Sequence, residues 1–297
     1  PTEAELIKLL PGVFGTIAGG EPYTERVFAS SPDLKIVARF GVGYDQVDVA
    51  AATRHGVPVA MAFGTNHESV ADGAFMLMAA SACNLPVQHQ LVKSGGWGCD
   101  FHPGIWKKTL GIIGMGRIGR ALARRCGRGF DMRVLAYDPM PDAAYAKANN
   151  IELVDLATLL KTADYVSLHI PHTKENESFM NAERLAQMKP SAFLINTARG
   201  VLIDEKALYD ALKNHRIAGA GLDVFRQEPP VGSPLIGLDN VVLLPHSSGM
   251  DDTGEAAMAN KCIDSILAFY NGEHPGAEYV LNPQVLPANI KPARKGN

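Results

Sequence analysis

The sequence lacks the features that mark several large classes of protein. No run of lysine and arginine is dense enough to follow a phosphate backbone, and the formal net charge of the 297 residues is −3. We therefore expect no nucleic acid as a partner. The apolar stretch 69–82 contains Asp72 and is too short to span a bilayer, so we expect no membrane partner. No signal-peptide pattern is visible, which favours a cytoplasmic protein.

Cysteine is scarce and scattered. The four cysteines, at positions 83, 99, 126 and 262, have neither CxxC nor metal-ligand spacing. We expect free thiols in a reducing cytoplasm and no bound metal. The chain begins with Pro1 rather than Met, so we expect the native N-terminus to be missing or processed.

The length and the hydrophobic pattern predict two domains. A chain of 297 residues exceeds what one core usually fills. From residue 109 onward, apolar strands alternate with helices, which predicts a Rossmann-type, doubly wound parallel sheet in residues 68–248. A buried helix over 69–83, with Ser69 as its N-cap, precedes this sheet, and 94–106 reads as a loop. We expect the final helix, near 254–270, to return to the start of the chain. The second, smaller domain would then combine 1–67 with 249–297.

A glycine pattern follows the strand predicted at 109–113. It reads Gly114-Met-Gly116-Arg-Ile-Gly119 and opens a helix, after which a second strand follows. Gly114 permits a tight turn, Gly116 lets the backbone approach a pyrophosphate, and Gly119 lets the helix pack on the strand. The free N–H groups at such a helix start bind phosphate. This context predicts a dinucleotide site, the alternative being a βαβ unit that binds no dinucleotide.

Asp138 closes the second strand, nineteen residues past Gly119. A carboxylate at this place accepts hydrogen bonds from the adenosine ribose hydroxyls and repels a 2′-phosphate. The next two residues, Pro139 and Met140, supply no arginine to hold such a phosphate. The sequence therefore predicts NAD rather than NADP as the cofactor.

Three polar residues recur at or just beyond the predicted strands, where ligands bind in open α/β sheets. Arg199 could grip a substrate carboxylate bidentately, or could be a surface arginine in a turn. His246 is a candidate general acid and base, because an imidazole titrates near neutral pH. His169 and His172 also flank a strand end, and position alone excludes neither of them.

Glu228 lies in a loop that also contains Asp223 and Pro229. A carboxylate beside an imidazole fixes its tautomer and favours its protonated form, so Glu228 is the natural partner for His246. A solvated glutamate in a proline-rich loop is the competing interpretation.

Taken together, these motifs resemble the D-isomer-specific 2-hydroxyacid dehydrogenases, which include phosphoglycerate, glycerate/hydroxypyruvate and D-lactate dehydrogenases. The resemblance covers nearly the whole chain. It runs from the segment Leu34–Asp45 through the glycine pattern to Asn196-Thr-Ala-Arg-Gly200, Asp223-Val-Phe and Pro245-His246. It implies an NAD-dependent oxidoreductase that moves hydride between nicotinamide and a small D-2-hydroxy or 2-keto acid. It also implies a flavodoxin-like α/β smaller domain and a homodimer.

The resemblance implies roles for individual residues. The catalytic residues of the family fall on Arg199, Glu228 and His246. Backbone around Val42 and Gly43 would hold the substrate carboxylate, although from the residues alone we prefer a plain turn at this glycine pair. The cofactor contacts of the family would fall on Arg117, Ile118, Asp138, Pro171, Thr197 and Asp223.

The chain departs from the family pattern in two places. Family members begin with a further strand and helix turn, which this chain lacks, and the loop 247–253 is about two residues longer than usual. Formate dehydrogenases share the pattern but pair the histidine with glutamine, whereas this chain has Glu228. An NAD(H)-sensing, corepressor-like binding protein on the same fold is the alternative from a different class.

The substrate is indicated only weakly. Phosphoglycerate dehydrogenases place arginines in the loop that corresponds to Gly19-Gly-Glu-Pro22, and this chain has none there. We therefore expect glyoxylate or hydroxypyruvate rather than a phosphorylated acid, with Arg39 as the cation that could still reach the pocket.

Overall fold

The computed structural model describes residues 1–98, 101–288 and 290–293, and it divides the chain into two compact units. The larger unit is His67–Gly249, and the smaller one joins Pro1–Asn66 to the described part of Met250–Asn297. The larger unit exceeds the predicted range 68–248 by one residue at each end.

The described residues form a series of short strands and helices along the chain. The strands are β1 (Gly15–Ala18), β2 (Ile36–Arg39), β3 (Val59–Met61), β4 (Thr109–Ile113), β5 (Arg133–Tyr137), β6 (Ile151–Leu153), β7 (Tyr165–Leu168), β8 (Phe193–Asn196), β9 (Gly219–Leu222), β10 (Val241–Leu243), β11 (Glu273–His274) and β12 (Lys291–Pro292). The α-helices are α1 (Glu3–Leu9), α2 (Glu25–Ala29), α3 (Val49–Arg54), α4 (His67–Ala82), α5 (Leu85–Lys93), α6 (Arg117–Gly129), α7 (Ala143–Ala148), α8 (Leu156–Thr162), α9 (Ala182–Gln187), α10 (Glu205–Lys213) and α11 (Asp252–Tyr270).

The larger unit is built on a seven-stranded parallel sheet in the order β10-β9-β8-β7-β4-β5-β6. The central strands β7, β8 and β9 are buried along their whole length, which explains their continuous apolar sequence. The predicted doubly wound α/β fold is confirmed. Strand β4 pairs with β5 on one side and β7 on the other, so the strand order reverses there. In open α/β sheets, ligands bind at the carboxyl ends of the strands at such a point.

Most helices of this unit begin at a residue that the sequence marks as a cap. The side chain at the N-cap accepts a hydrogen bond from the N–H group three residues further on, which satisfies a backbone donor that has no partner within the helix. The residues that cap α7, α8, α9 and α10 in this way are Asp142, Asp155, Asn181 and Asp204.

The start predicted for α4 is wrong. The helix begins at His67, so Ser69 lies inside its first turn and is buried rather than capping it. The next helix, α5, follows after a break and was not predicted. No single helix of the described residues is long and apolar enough to cross a bilayer, while α4 and α5, bent by 61°, pass that test as a pair.

The smaller unit has a parallel sheet in the order β1-β2-β3, against which α11 packs. The three-residue strand β3 was not predicted. Its free edge is held by Asn282, whose side chain accepts a hydrogen bond from Val59 N–H at 2.8 Å and donates one to Val57 O at 2.9 Å. A segment from each end of the described chain therefore completes one α/β unit.

Three cysteines are free thiols, at positions 83, 126 and 262, and Cys99 lies outside the described residues. Burial raises the pKa of Cys126 to about 12 and that of Cys262 to about 11. Both thiols therefore stay protonated and unreactive near neutral pH.

Candidate active site

The glycine turn lies at the carboxyl end of β4 and leads into α6. Gly114 has φ of +100°, and a Cβ there would lie 2.7 Å from the backbone carbonyl of His169. A Cβ on Gly119 would collide with the carbonyl oxygen of Gly114, which accounts for the close approach of helix and turn. Gly116 is the N-cap of α6, has no side chain to cap the helix and faces open space. The helix N-terminus, with Arg117 and Ile118 as its first residues, is open to an anion.

Asp138 lies directly beside this turn. Its two carboxylate oxygens accept hydrogen bonds from the N–H groups of Met115 and Met140, each at 2.8 Å. The carboxylate thus joins the glycine turn to the loop between β5 and α7.

An arginine that the sequence analysis missed also reaches this loop. Arg120, in the first turn of α6, donates from Nε to Met115 O at 2.9 Å and from Nη2 to Asp142 at 3.1 Å. Its guanidinium carbon lies 4.1 Å from the ring centroid of Tyr145. Position 120 directly follows the last glycine, so helical geometry points its side chain back toward the turn. That spacing was the available signal.

Several buried polar atoms in the larger unit have no hydrogen-bond partner. They include Nδ1 of His169, Nε2 of His172, Oγ1 of Thr197 and Oγ of Ser248. Buried polar groups are normally paired, so these atoms fit a polar ligand that supplies the missing partners. His169 and Thr197 follow β7 and β8 directly, and His172 follows Pro171 in the loop after β7. The glycine turn and these atoms together fit a dinucleotide.

Burial separates His169 from the other candidate acids. Its Nε2 lies 2.9 Å from the Ser167 hydroxyl, and burial lowers the pKa of His169 to about 4. His169 is therefore neutral near pH 7, which disfavours it as the proton donor that position alone left open.

His246 and Glu228 form a direct pair. His246 stands three residues beyond β10 with φ of +54°, and its Nδ1 lies 2.7 Å from Glu228 Oε2. An ionised carboxylate can only accept, so Nδ1 donates and Nε2 is left for another partner. Glu228 is itself held by the N–H of Phe225, which donates to Oε1 at 3.0 Å.

The charge on Glu228 is stabilised by its neighbours. Burial by itself would raise the pKa of this carboxyl group. The hydrogen bonds from His246 and Phe225, with the charges of His246 and Arg199, outweigh that effect and hold the pKa of Glu228 below its usual value. The carboxyl group is therefore ionised above that lowered pKa, including near pH 7.

Asp223 fixes the turn that carries His246. Its carboxylate accepts from the N–H groups of Ser247 at 2.7 Å and Ser248 at 3.0 Å. Its carbonyl oxygen accepts from the N–H of His246 at 2.8 Å. These three hydrogen bonds to Asp223 fix the backbone of residues 246–248, from which the imidazole of His246 projects.

Arg199 follows β8 in a turn that its neighbours hold. Asn196 donates from its side chain to Arg199 O at 2.9 Å, and the arginine donates from Nη1 to Ala198 O at 2.6 Å. A Cβ on the next residue, Gly200, would collide with the backbone of Phe225. The loop of Arg199 therefore touches the loop of Glu228, and the structure brings the predicted trio to one edge of the sheet.

Val42 and Gly43 lie in the smaller unit, in the turn that follows β2. Gly41, at the start of that turn, has φ of +128°, a value that favours glycine. The guanidinium of Arg39 donates to Phe40 O and, at 3.4 Å, to Ala18 O. These bonds tie the carboxyl ends of β1 and β2 together beside the turn.

A parallel sheet with a glycine turn at its switch point, and an acid–base pair at the same edge, is the architecture of dinucleotide-dependent oxidoreductases. Residues 75–248 match the family model described as D-isomer specific 2-hydroxyacid dehydrogenase, NAD binding domain. The chain is 44% identical over 262 residues to a glyoxylate reductase of Korarchaeum cryptofilum, covering 86% of this chain and 79% of that protein.

Solved structures agree with the sequence relatives. The TT0316 protein of Thermus thermophilus superposes with a TM-score of 0.87 at 36% identity, covering 94% of this chain and 89% of that one. An NADPH-dependent glyoxylate/hydroxypyruvate reductase of Sinorhizobium meliloti gives a TM-score of 0.83 at 32% identity, with 94% and 86% coverage.

The chain belongs to the D-isomer specific 2-hydroxyacid dehydrogenases. It is an NAD-dependent oxidoreductase for the interconversion of 2-hydroxy and 2-keto acids.

Proposed function

We propose that the protein reduces glyoxylate or hydroxypyruvate, with Arg199, Glu228 and His246 as its catalytic group. The observation that carries this proposal is the 2.7 Å contact between His246 Nδ1 and Glu228 Oε2 at the carboxyl edge of the sheet. An imidazole oriented in this way has one nitrogen committed to a carboxylate and the other available for proton transfer.

In the reducing direction, His246 donates the proton on Nε2 to the keto oxygen while Glu228 stabilises the imidazolium. The hydride that the carbonyl carbon accepts would come from NADH held by the larger unit. Arg199 binds the substrate carboxylate and stabilises the negative charge that develops on the oxygen. The backbone N–H groups of Val42 and Gly43, in the smaller unit, are the proposed carboxylate-binding groups of that unit. The smaller unit thus acts as the substrate domain.

The larger unit acts as the cofactor domain. Its helix N-terminus binds the pyrophosphate, and the Asp138 carboxylate binds the ribose. The full set of proposed cofactor residues is Gly114, Gly116, Arg117, Ile118, Gly119, Asp138, Pro171, Thr197 and Asp223.

Two observations support the substrate. The Korarchaeum relative is a glyoxylate reductase, and the Sinorhizobium relative acts on glyoxylate and hydroxypyruvate. The loop after β1 carries a carboxylate, that of Glu21, and no cation. A hydrogen bond from Gly19 N–H at 3.0 Å holds this carboxylate at the loop. Arg39 donates to the backbone carbonyl groups of Ala18 and Phe40. A substrate phosphate would therefore meet negative charge beside this loop.

A panel of keto acids tests this proposal. We expect kcat/KM for NADH oxidation to be at least about tenfold higher with glyoxylate or hydroxypyruvate than with 3-phosphohydroxypyruvate, because like charges disfavour the phosphate. Pyruvate serves as the unsubstituted comparison. A preference for the phosphorylated acid would overturn the substrate assignment, and NADH binding without turnover of any acid would favour a sensing role.

We also propose a cytoplasmic homodimer formed through the larger unit. Seven exposed apolar side chains lie close together in sequence, on α5 and among the described residues up to Trp106, and such a concentration favours an interface. They are Leu85, Val87, Leu91, Val92, Trp97, Phe101 and Trp106. The three free thiols support the reducing compartment.

Sedimentation equilibrium tests the dimer. The protein is expected at twice the mass of one chain, and Val92→Glu is expected to shift it to the monomer because a buried charge without a partner opposes association. Ile236→Glu is the matched control, since Ile236 is as exposed as Val92 but lies outside the cluster. A monomeric wild type, or equal effects of the two variants, would contradict the proposal.

A further inference from the structure

The backbone N–H and C=O of Met115 are bound by side chains of opposite charge. Its N–H donates to the Asp138 carboxylate at 2.8 Å, and its carbonyl oxygen accepts from Arg120 Nε at 2.9 Å. The Asp138 carboxylate and the Arg120 guanidinium thus bind the backbone of the same residue in the glycine turn. In Rossmann units, a carboxylate at the end of the second strand binds the ribose of NAD, and a nearby arginine accommodates the 2′-phosphate of NADP. This chain carries both groups.

Asp142 forms an ion pair with Arg120. One of its oxygens accepts from Arg120 Nη2 at 3.1 Å, and the other accepts from Tyr145 N–H at 3.0 Å as the N-cap of α7. The hydrogen bond from Tyr145 N–H is the main cause that lowers the pKa of Asp142 below its usual value. The hydrogen bond and the charge of Arg120 lower it further. The carboxyl group is thus ionised near pH 7, and the loop presents two carboxylates against one guanidinium.

We propose that Asp142 is a second determinant of NAD over NADP, because it occupies the guanidinium of Arg120 that would otherwise bind a 2′-phosphate. The inference rests on dinucleotide binding by the larger unit. Discrimination between NAD and NADP then depends on two carboxylates. Asp138 binds the ribose, and Asp142 pairs with the Arg120 guanidinium so that it does not bind a 2′-phosphate.

The variant Asp142→Asn tests this assignment. Asparagine is as good an N-cap as aspartate, so α7 keeps its start while the ion pair with Arg120 is lost. Titration of nicotinamide fluorescence with the purified protein, at one fixed low ionic strength, gives the Kd of NADPH and of NADH without any turnover. We expect NADPH to bind about tenfold more tightly to the variant, as a charge-assisted hydrogen bond to phosphate predicts, with NADH changed less than about twofold.

Two controls separate this mechanism from a general charge effect. In the Arg120→Met background, Asp142→Asn is expected to leave the Kd of NADPH unchanged, because the released cation is absent. Glu152→Gln removes an equal charge from the exposed ion pair with Arg133, which lies at the amino end of β5, away from the glycine turn. It should change the Kd of NADPH less than about twofold.

An equal gain from Glu152→Gln, or a gain that persists without Arg120, would overturn the inference. So would a Kd of NADPH that stays unchanged in both Asp142→Asn and Asp142→Ser, two variants that keep a capping oxygen. Failure of the wild type to bind either nucleotide would instead contradict the proposed function, so the two failures are distinguishable.

Discussion

Replacing His246 with alanine is expected to lower kcat for keto-acid reduction by about a thousandfold, which lies within the range that general acid catalysis contributes. The reason is positional: Nδ1 is committed to Glu228, so Nε2 is the nitrogen that can give up a proton. Because the imidazole is half exposed and packs in no core cluster, we expect the Kd of NADH and the Tm to stay close to those of the wild type. Steady-state kinetics, nucleotide titration and a thermal melt measure these three quantities.

His215→Ala is the matched control for this prediction. His215 also has a positive φ, +51°, and is exposed in the same unit, so its loss reproduces the backbone effect of removing a left-handed histidine. It should leave kcat unchanged. If His246→Ala retained kcat within about tenfold of wild type, another group would have to supply the proton, contrary to the magnitude expected for a general acid.

The candidate site was predictable where local chemistry fixes it. Glycine at 114 and 119 is required by backbone that approaches too closely for a Cβ, and such a requirement is visible in sequence spacing. The strand ends behind Arg199 and His246 follow from apolar runs of strand length. Position alone did not decide between His246 and His169, because both follow a strand, and the family resemblance made the choice. In the structure, the burial of His169 and the contact of His246 with Glu228 distinguish them.

What the sequence could not reveal depends on contacts between distant segments. Arg120 and Asp142 are 22 positions apart, and their bond exists only because α6 and the β5–α7 loop meet beside one peptide. Helix α5 was missed because helix prediction relies on an apolar face that packs on the core of the same chain. None of the residues of α5 is buried, so it has no such face. The start of α4 was misplaced because Ser69 matches the composition of a cap while its side chain is buried inside the helix.

Arg199→Gln is expected to lower kcat/KM for the keto acid by about a thousandfold, with a rise in KM and a fall in kcat together. The rise in KM reflects the lost grip on the carboxylate, and the fall in kcat reflects lost stabilisation of charge that develops only in the transition state. Arg199→Lys keeps the charge but not the planar fork, so we expect an intermediate loss of about a hundredfold. Initial rates over a range of keto-acid concentrations, at saturating NADH, give both constants.

The control for Arg199 comes from the neighbouring loop. Arg226 pairs with Glu177 at the surface, and Arg226→Gln removes the same group from the same side of the unit without touching the trio. It should leave both constants within about twofold of wild type, as is usual for an exposed ion pair. Because Arg199 also bonds to Ala198 O, its variants could act through the turn alone. In that case glutamine and lysine would be equally harmful and the Kd of NADH would weaken in parallel, whereas a graded loss with unchanged NADH binding identifies a guanidinium that acts on the substrate.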